Sequence, residues 1–160
     1  MLVCCTKGFS DRNLQAFVVY WKEKFPDAVI TSVVDMDIFG LRQIQANNFT
    51  ESLTQKHHKP TFRRTYSFQS KWFGVLPSYI QSLESSSYTY TSMDEQTLAQ
   101  LTTFIEGSAF LAWGDIDRRK KELELMKNRA IIVKMEQVFP GEETFIEYII
   151  DQLRNGQYGI

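Results

Sequence analysis

A β-branched run, Ala28 to Val34, opens directly onto Asp35-Met36-Asp37 and then Gly40, and no other stretch narrows the fold as far. A short run rich in Val, Ile and Thr reads as a parallel strand. In open α/β sheets, ligands bind beyond the carboxyl ends of the strands, so two carboxylates one residue apart are well placed there for chemistry. Aspartates are also common in strand-to-helix turns and caps. A role in steadying the turn therefore stands beside the metal-binding one, because so short a motif matches easily by chance.

The flanking pattern supports an alternating fold. Leu2 to Thr6 reads as a first apolar strand, with Lys7-Gly8 as the turn after it and Ser10 as a helix cap followed by Asp11. Leu14, Phe17, Val18 and Trp21 then recur at helical spacing, and Pro26 stops that helix. Gly40 to Asn47 begins another. A β-α-β-α order predicts an open, doubly wound parallel sheet flanked by helices.

Asn48 to Ser70 reads as a polar, basic loop in which Lys56-His57-His58-Lys59 is a solvated stretch rather than a metal site. Lys71 to Ser78 reads as an aromatic turn, with Pro77 suited to the first position of a short helix. Ser92 and Glu95 form a capping-box pattern, and Leu98, Leu101 and Ile105 carry the helix behind it to Gly107. Asp115 to Met126 is a charged helix whose Arg118-Arg119-Lys120-Lys121-Glu122 run predicts a solvated face. Lys134 to Val138 and Phe145 to Leu153 are further helical stretches, the last closed by Asn155-Gly156. The expectation is one domain with helical C-terminal elaborations.

Composition excludes some function classes. A chain of 160 residues that is 43% hydrophobic and 14% aromatic has enough apolar material for a real core. Its net charge of -1 rules out a uniformly basic coat for nucleic acid, although a local basic face is still allowed. Cys4 and Cys5 are adjacent, a poor geometry for a mutual disulfide, and two thiols are too few for a structural zinc site. No apolar stretch is long enough to span a bilayer as a helix.

Several stretches, taken in order, resemble one family. Thr6-Lys7-Gly8-Phe9-Ser10-Asp11 is similar to the strand-turn-helix that precedes the acidic motif in the topoisomerase VI A-subunit family. Val34-Asp35-Met36-Asp37-Ile38-Phe39-Gly40 resembles its Asp-x-Asp-Pro-aromatic-Gly element. Trp72-Phe73-Gly74-Val75-Leu76-Pro77-Ser78 resembles its Trp-Leu-Gly-Leu-x-Pro-Ser signature. Lys134-Met135-Glu136 is similar to Lys-Ala-Glu, and Gly156-Gln157-Tyr158-Gly159-Ile160 to the glycine-rich ending. The eukaryotic branch, the meiotic double-strand-break protein, matches best.

The resemblance implies a Toprim fold and a type IIB topoisomerase-like transesterase, in which a tyrosine attacks DNA and becomes joined to the 5′ end. It implies Mg²⁺ held by Asp35 and Asp37 together with a glutamate from an earlier strand. Lys7, at the turn after the first strand and on the same sheet edge as Asp35, is expected to reach a DNA phosphate, and Phe9 resembles a family position that approaches the minor groove, alternatively being a hydrophobic staple over its own helix. The implied partners are double-stranded DNA, a second copy in a homodimer, and topoisomerase VI B-like and other meiotic accessory proteins, all on nuclear chromosomes. Trp72, Phe73, Trp113 and Phe145 to Leu153 are interface candidates, with ordinary core as their other reading.

Departures from the family pattern bear on activity. Ile38 replaces the usual proline. The winged-helix region with its nucleophilic tyrosine has no counterpart here, nor does the strand carrying the glutamate. The expectation for residues 1–160 is therefore a partial Toprim domain, beginning inside a larger protein, that is inactive and self-associating when isolated. Two alternatives stand. One is a haloacid-dehalogenase-type phosphohydrolase using Asp35 and Asp37, although Phe39 occupies the place where that class has Thr or Val. The other is a non-catalytic Toprim interaction module.

Overall fold

A strand ending in acids is positioned by what lies against it. In the computed structural model, residues 12–48, 68–107, 115–157 and 159–160 are described. The first strand and turn expected at Leu2 to Ser10, most of the basic loop and Trp113 lie outside them. Helix α1 (Arg12–Lys24) ends with Lys22 and Lys24, cations suited to the negative end of the helix dipole. Lys22 Nζ donates to the carbonyls of Pro26 and Ala28, the latter at 2.6 Å, fastening the helix end to the chain that leads into the sheet. The expected apolar stripe is uneven, since Phe17 is exposed and Gln15 is buried.

Strand β1 (Thr31–Val34) is shorter than the apolar run that announced it, and Val29 and Val33 are exposed. It pairs in parallel with β2 (Lys71–Gly74), with Thr31 opposite Lys71 and Val34 opposite Gly74. The segment expected as an aromatic turn is thus a strand through Gly74. Trp72 and Phe73 suit a pleated, half-buried surface, and pairing with β1 fixes them there. Both are buried, so they belong to the core rather than to an open interface. Gly74 has φ +106°, a region open to glycine, and a Cβ there would stand 2.6 Å from the Val34 carbonyl oxygen. Helix α3 (Pro77–Ser82) follows with Pro77 in its first turn, as the sequence predicts.

Helix α2 (Ile38–Asn48) buries Ile38, Leu41 and Ile44. Strand β3 (Thr91–Ser92) precedes α4 (Glu95–Gly107), so Ser92 belongs to the strand and not to the expected capping box. Asp94 caps α4 instead, its Oδ1 accepting from the Thr97 N–H at 2.7 Å. A carboxylate immediately before the helix outcompetes a hydroxyl three residues upstream for those amides.

Helix α5 (Ile116–Arg129) is capped by Asp115 and ends at Ala130, φ 51°. Its charged run is only partly solvated. Arg118, Lys120 and Lys121 are exposed, but Arg119 and Glu122 turn inward beside Leu123 and Met126. The helical period, not the charge, decides this: positions 119, 122, 123 and 126 share one face. Arg119 Nη2 donates to the Ile160 carbonyl at 3.1 Å, and burial lowers its pKa while the charge of Asp115 pulls it back. Glu122 Oε2 accepts from the Ser78 N–H at 2.8 Å, receiving an amide from the first turn of α3.

Strand β4 (Ile131–Ile132) pairs antiparallel with β3. Just beyond it, Val133 and Met36 exchange backbone hydrogen bonds at 2.9 and 3.3 Å in an antiparallel bridge. The short helix α6 (Met135–Val138) and the longer α7 (Glu142–Arg154) complete the order. Phe145 and Tyr148 of α7 pack on the core with Phe139 and Tyr79, while Ile146 and Ile150 are exposed.

Candidate metal centre

Asp35 and Asp37 flank Met36, whose side chain is fully buried and whose backbone is locked to Val133. That bridge fixes a register in which Lys134 stands opposite Asp35. In an extended chain, residues two apart project to one face, so both carboxylates face the same side as Lys134. Asp37 itself sits in the bend that leads from this bridge into α2.

The convergence is direct. Lys134 Nζ lies 3.3 Å from Asp35 Oδ2 and also hydrogen-bonds Asp37 Oδ2. The other carboxylate oxygens take backbone amides. Asp35 Oδ1 accepts from the Met135 N–H at 2.9 Å, and Asp37 Oδ1 from the Gly40 N–H at 2.6 Å. The second of these makes Asp37 the N-cap of α2, where a carboxylate satisfies an orphan amide and complements the dipole. It also explains why α2 starts at Ile38, ahead of the expected Gly40.

Gly40 lets the helix start so close to the strand end. A Cβ there would meet the Asp35 carbonyl oxygen at 2.7 Å and Val34 Cβ at 3.0 Å. The pair is graded in exposure, with side chains 26% exposed for Asp35, 5% for Asp37 and 39% for Lys134. Burial alone would push the lysine down. The hydrogen bond and charge of Asp37, then the charge and hydrogen bond of Asp35, outweigh that and raise its pKa above the usual lysine value.

The donor chemistry suits a hard divalent cation, for which one or two carboxylates with waters and phosphate oxygens form the usual set. The pair already gathers one positive charge, the Lys134 ammonium, between its two Oδ2 atoms. No cluster of three or more acids, histidines or cysteines that could hold a metal ion occurs among the described residues. Glu136 is exposed. Lys7 and Phe9, the expected DNA contacts, lie outside the described residues. Lys134 was visible in sequence only as part of Lys-Met-Glu; its pairing with residues nearly a hundred positions upstream was not.

An α/β domain with a parallel strand pair and two acids at the strand end is consistent with the Toprim class. The chain matches the Toprim domain of the topoisomerase 6 A-subunit/Spo11 family over residues 1–153, and it belongs to that family. No curated protein matches the sequence.

Proposed function

We propose that this chain is the Toprim part of a topoisomerase VI A-like DNA transesterase that makes the double-strand breaks initiating meiotic recombination in the nucleus. The observation that supports this most is the meeting of Asp35 and Asp37 on one cation at the end of β1. Those carboxylates would hold Mg²⁺ near the scissile phosphate. When bound, the ion supplies charge neutralisation and orients the leaving oxygen. The chain's own part is to hold the two carboxylates in register, through the Met36–Val133 bridge and the amides of Met135 and Gly40.

Lys7 would contact a backbone phosphate and Phe9 the groove beside the break. No tyrosine of this chain is assigned as nucleophile. Two cuts on antiparallel strands favour a two-fold homodimer on DNA, assisted by a topoisomerase VI B-like partner and other accessory proteins.

Calorimetric titration with Mg²⁺ tests the metal reading. One ion per chain is expected, with binding lost in Asp35→Asn and Asp37→Asn. In the full-length parent protein, Asp35→Asn is expected to abolish strand cleavage, and normal breaks in that variant would refute the assignment. A 5′-tyrosyl DNA linkage, rather than an acid-stable phosphoenzyme at Asp35, separates this reading from a dehalogenase-type phosphohydrolase, which family membership disfavours. A non-catalytic interaction module is the second reading, favoured by the ammonium that already offsets one of the pair's two negative charges.

A further inference from the structure

We propose that the Lys134 ammonium and a divalent cation compete for the same two carboxylate oxygens, so that Lys134 keeps the pair closed until metal displaces it. The inference rests on the metal reading of Asp35 and Asp37 given above. Its basis is how the four carboxylate oxygens are divided. Both Oδ1 atoms are held by backbone amides, those of Met135 and Gly40, and these donors cannot leave without distorting β1, α2 or α6. Both Oδ2 atoms go to Lys134 Nζ. The oxygens that the backbone leaves for a cation are therefore the ones the ammonium takes.

The ammonium is also the one donor in the set that is free to move. Its side chain is 39% exposed on a flexible stem and carries a compact charge that water solvates well. Its backbone stays in place, because the Lys134 N–H donates to Gln137 Oε1 at 2.7 Å and the next amide holds Asp35. Displacement is then a side-chain swing with no rearrangement of the strand end. The exchange puts two positive charges where there was one, against two carboxylates. Without metal, the same lysine spares the nearly buried Asp37 an unpaired negative charge, which is costly in a partly desolvated site.

The test uses the whole chain with Mg²⁺ as the probe. Acetylation of lysines by an amine-reactive ester is followed by mass spectrometry, with exposed Lys120 and Lys121 as internal references. Mg²⁺ is expected to raise the Lys134 rate several-fold without moving the references, and Asp35→Asn is expected to remove that response. By calorimetry, Lys134→Met is expected to bind Mg²⁺ about five- to tenfold more tightly, the scale of removing its two partly exposed ion pairs from the competition.

Mg²⁺ binding with unmoved Lys134 reactivity, or weaker binding by Lys134→Met, overturns the competition and leaves the metal site standing. Binding by Lys134→Met but not by the unaltered chain supports the competition in its strongest form. Absence of binding in both overturns the metal reading and the competition together. If Lys134→Met does not fold, the acetylation of the unaltered chain decides.

Discussion

Replacing Gly40 with alanine sets two effects of opposite sign against each other at the centre of the site. Gly40 sits in the first turn of α2, where alanine is the better helix former by about 0.5–1 kcal/mol. The added methyl, however, would stand 2.7 Å from the Asp35 carbonyl oxygen, 3.0 Å from Val34 Cβ and 3.2 Å from Val34 Cγ2. The nearest of these is backbone, held by β1 on one side and by the Met36–Val133 bridge on the other, so it yields poorly. Overpacking of this kind costs about 1–3 kcal/mol. The net loss should be about 1–2 kcal/mol, a melting point lower by about 2–8 °C for a chain of this size.

The strain falls on the capping bond as well, because any shift of α2 away from β1 pulls the Gly40 amide from Asp37 Oδ1. Urea unfolding followed by circular dichroism reads the loss. Gly107→Ala is the control: none of the described residues lies within 4 Å of its added methyl, and it should be neutral or slightly stabilising. If Gly40→Ala matches the unaltered chain while Gly107→Ala behaves as expected, the close approach of α2 to the strand end is refuted.

Asp37→Ala should destabilise by about 1 kcal/mol through loss of the α2 cap, whereas Asp37→Asn, itself a good cap, should lose less; equal melting points would refute the capping role. Glu122→Ala should cost about 1–3 kcal/mol in urea unfolding by stranding the Ser78 amide, and Glu122→Gln, which keeps an acceptor, should cost clearly less. Tyr148→Phe should cost about 1 kcal/mol by removing the hydrogen bond from its hydroxyl to the Gly74 carbonyl. Burial, followed by the charges of Tyr79 and Glu122, raises the Tyr148 pKa above 10.0. Its contribution is therefore full below about pH 10 and lost as pH rises beyond, so unfolding curves of Tyr148→Phe should fall less steeply there.

Much of the order of elements was legible because it rests on local chemistry. Proline in the first turn of α3, the leucine and isoleucine spacing of α4 and the Asn155-Gly156 stop after α7 all act within one or two turns of chain. Errors came where a distant neighbour decides. Lys71 to Gly74 carries only Trp72 and Phe73 as a strand signal, too short to stand alone between a charged residue at one end and a glycine at the other. It becomes a strand because β1 offers it a parallel ladder. Likewise Arg119 and Glu122 look solvated within a run of charges; the helical period puts them on the face of Leu123 and Met126, and partners in α3 and near Ile160 satisfy them there.

The candidate site divides along the same line. Asp35 and Asp37 stand out in sequence because a β-branched run delivers them, and the family resemblance gives them a partner ion. What one stretch of sequence does not carry is that a second cation is already built into the fold. Lys134 reaches the pair only because Val133 bridges Met36, a contact between segments nearly a hundred residues apart that depends on one antiparallel register. A shift of that register by one residue would turn Lys134 to the opposite face and leave two carboxylates side by side without a counter-charge. The Met36–Val133 bridge therefore governs the electrostatics of the site as much as the acids do. A substitution that loosens it, such as Val133→Gly, should weaken the closed arrangement of the pair without touching a charged residue, and should appear as faster acetylation of Lys134 with no Mg²⁺ present.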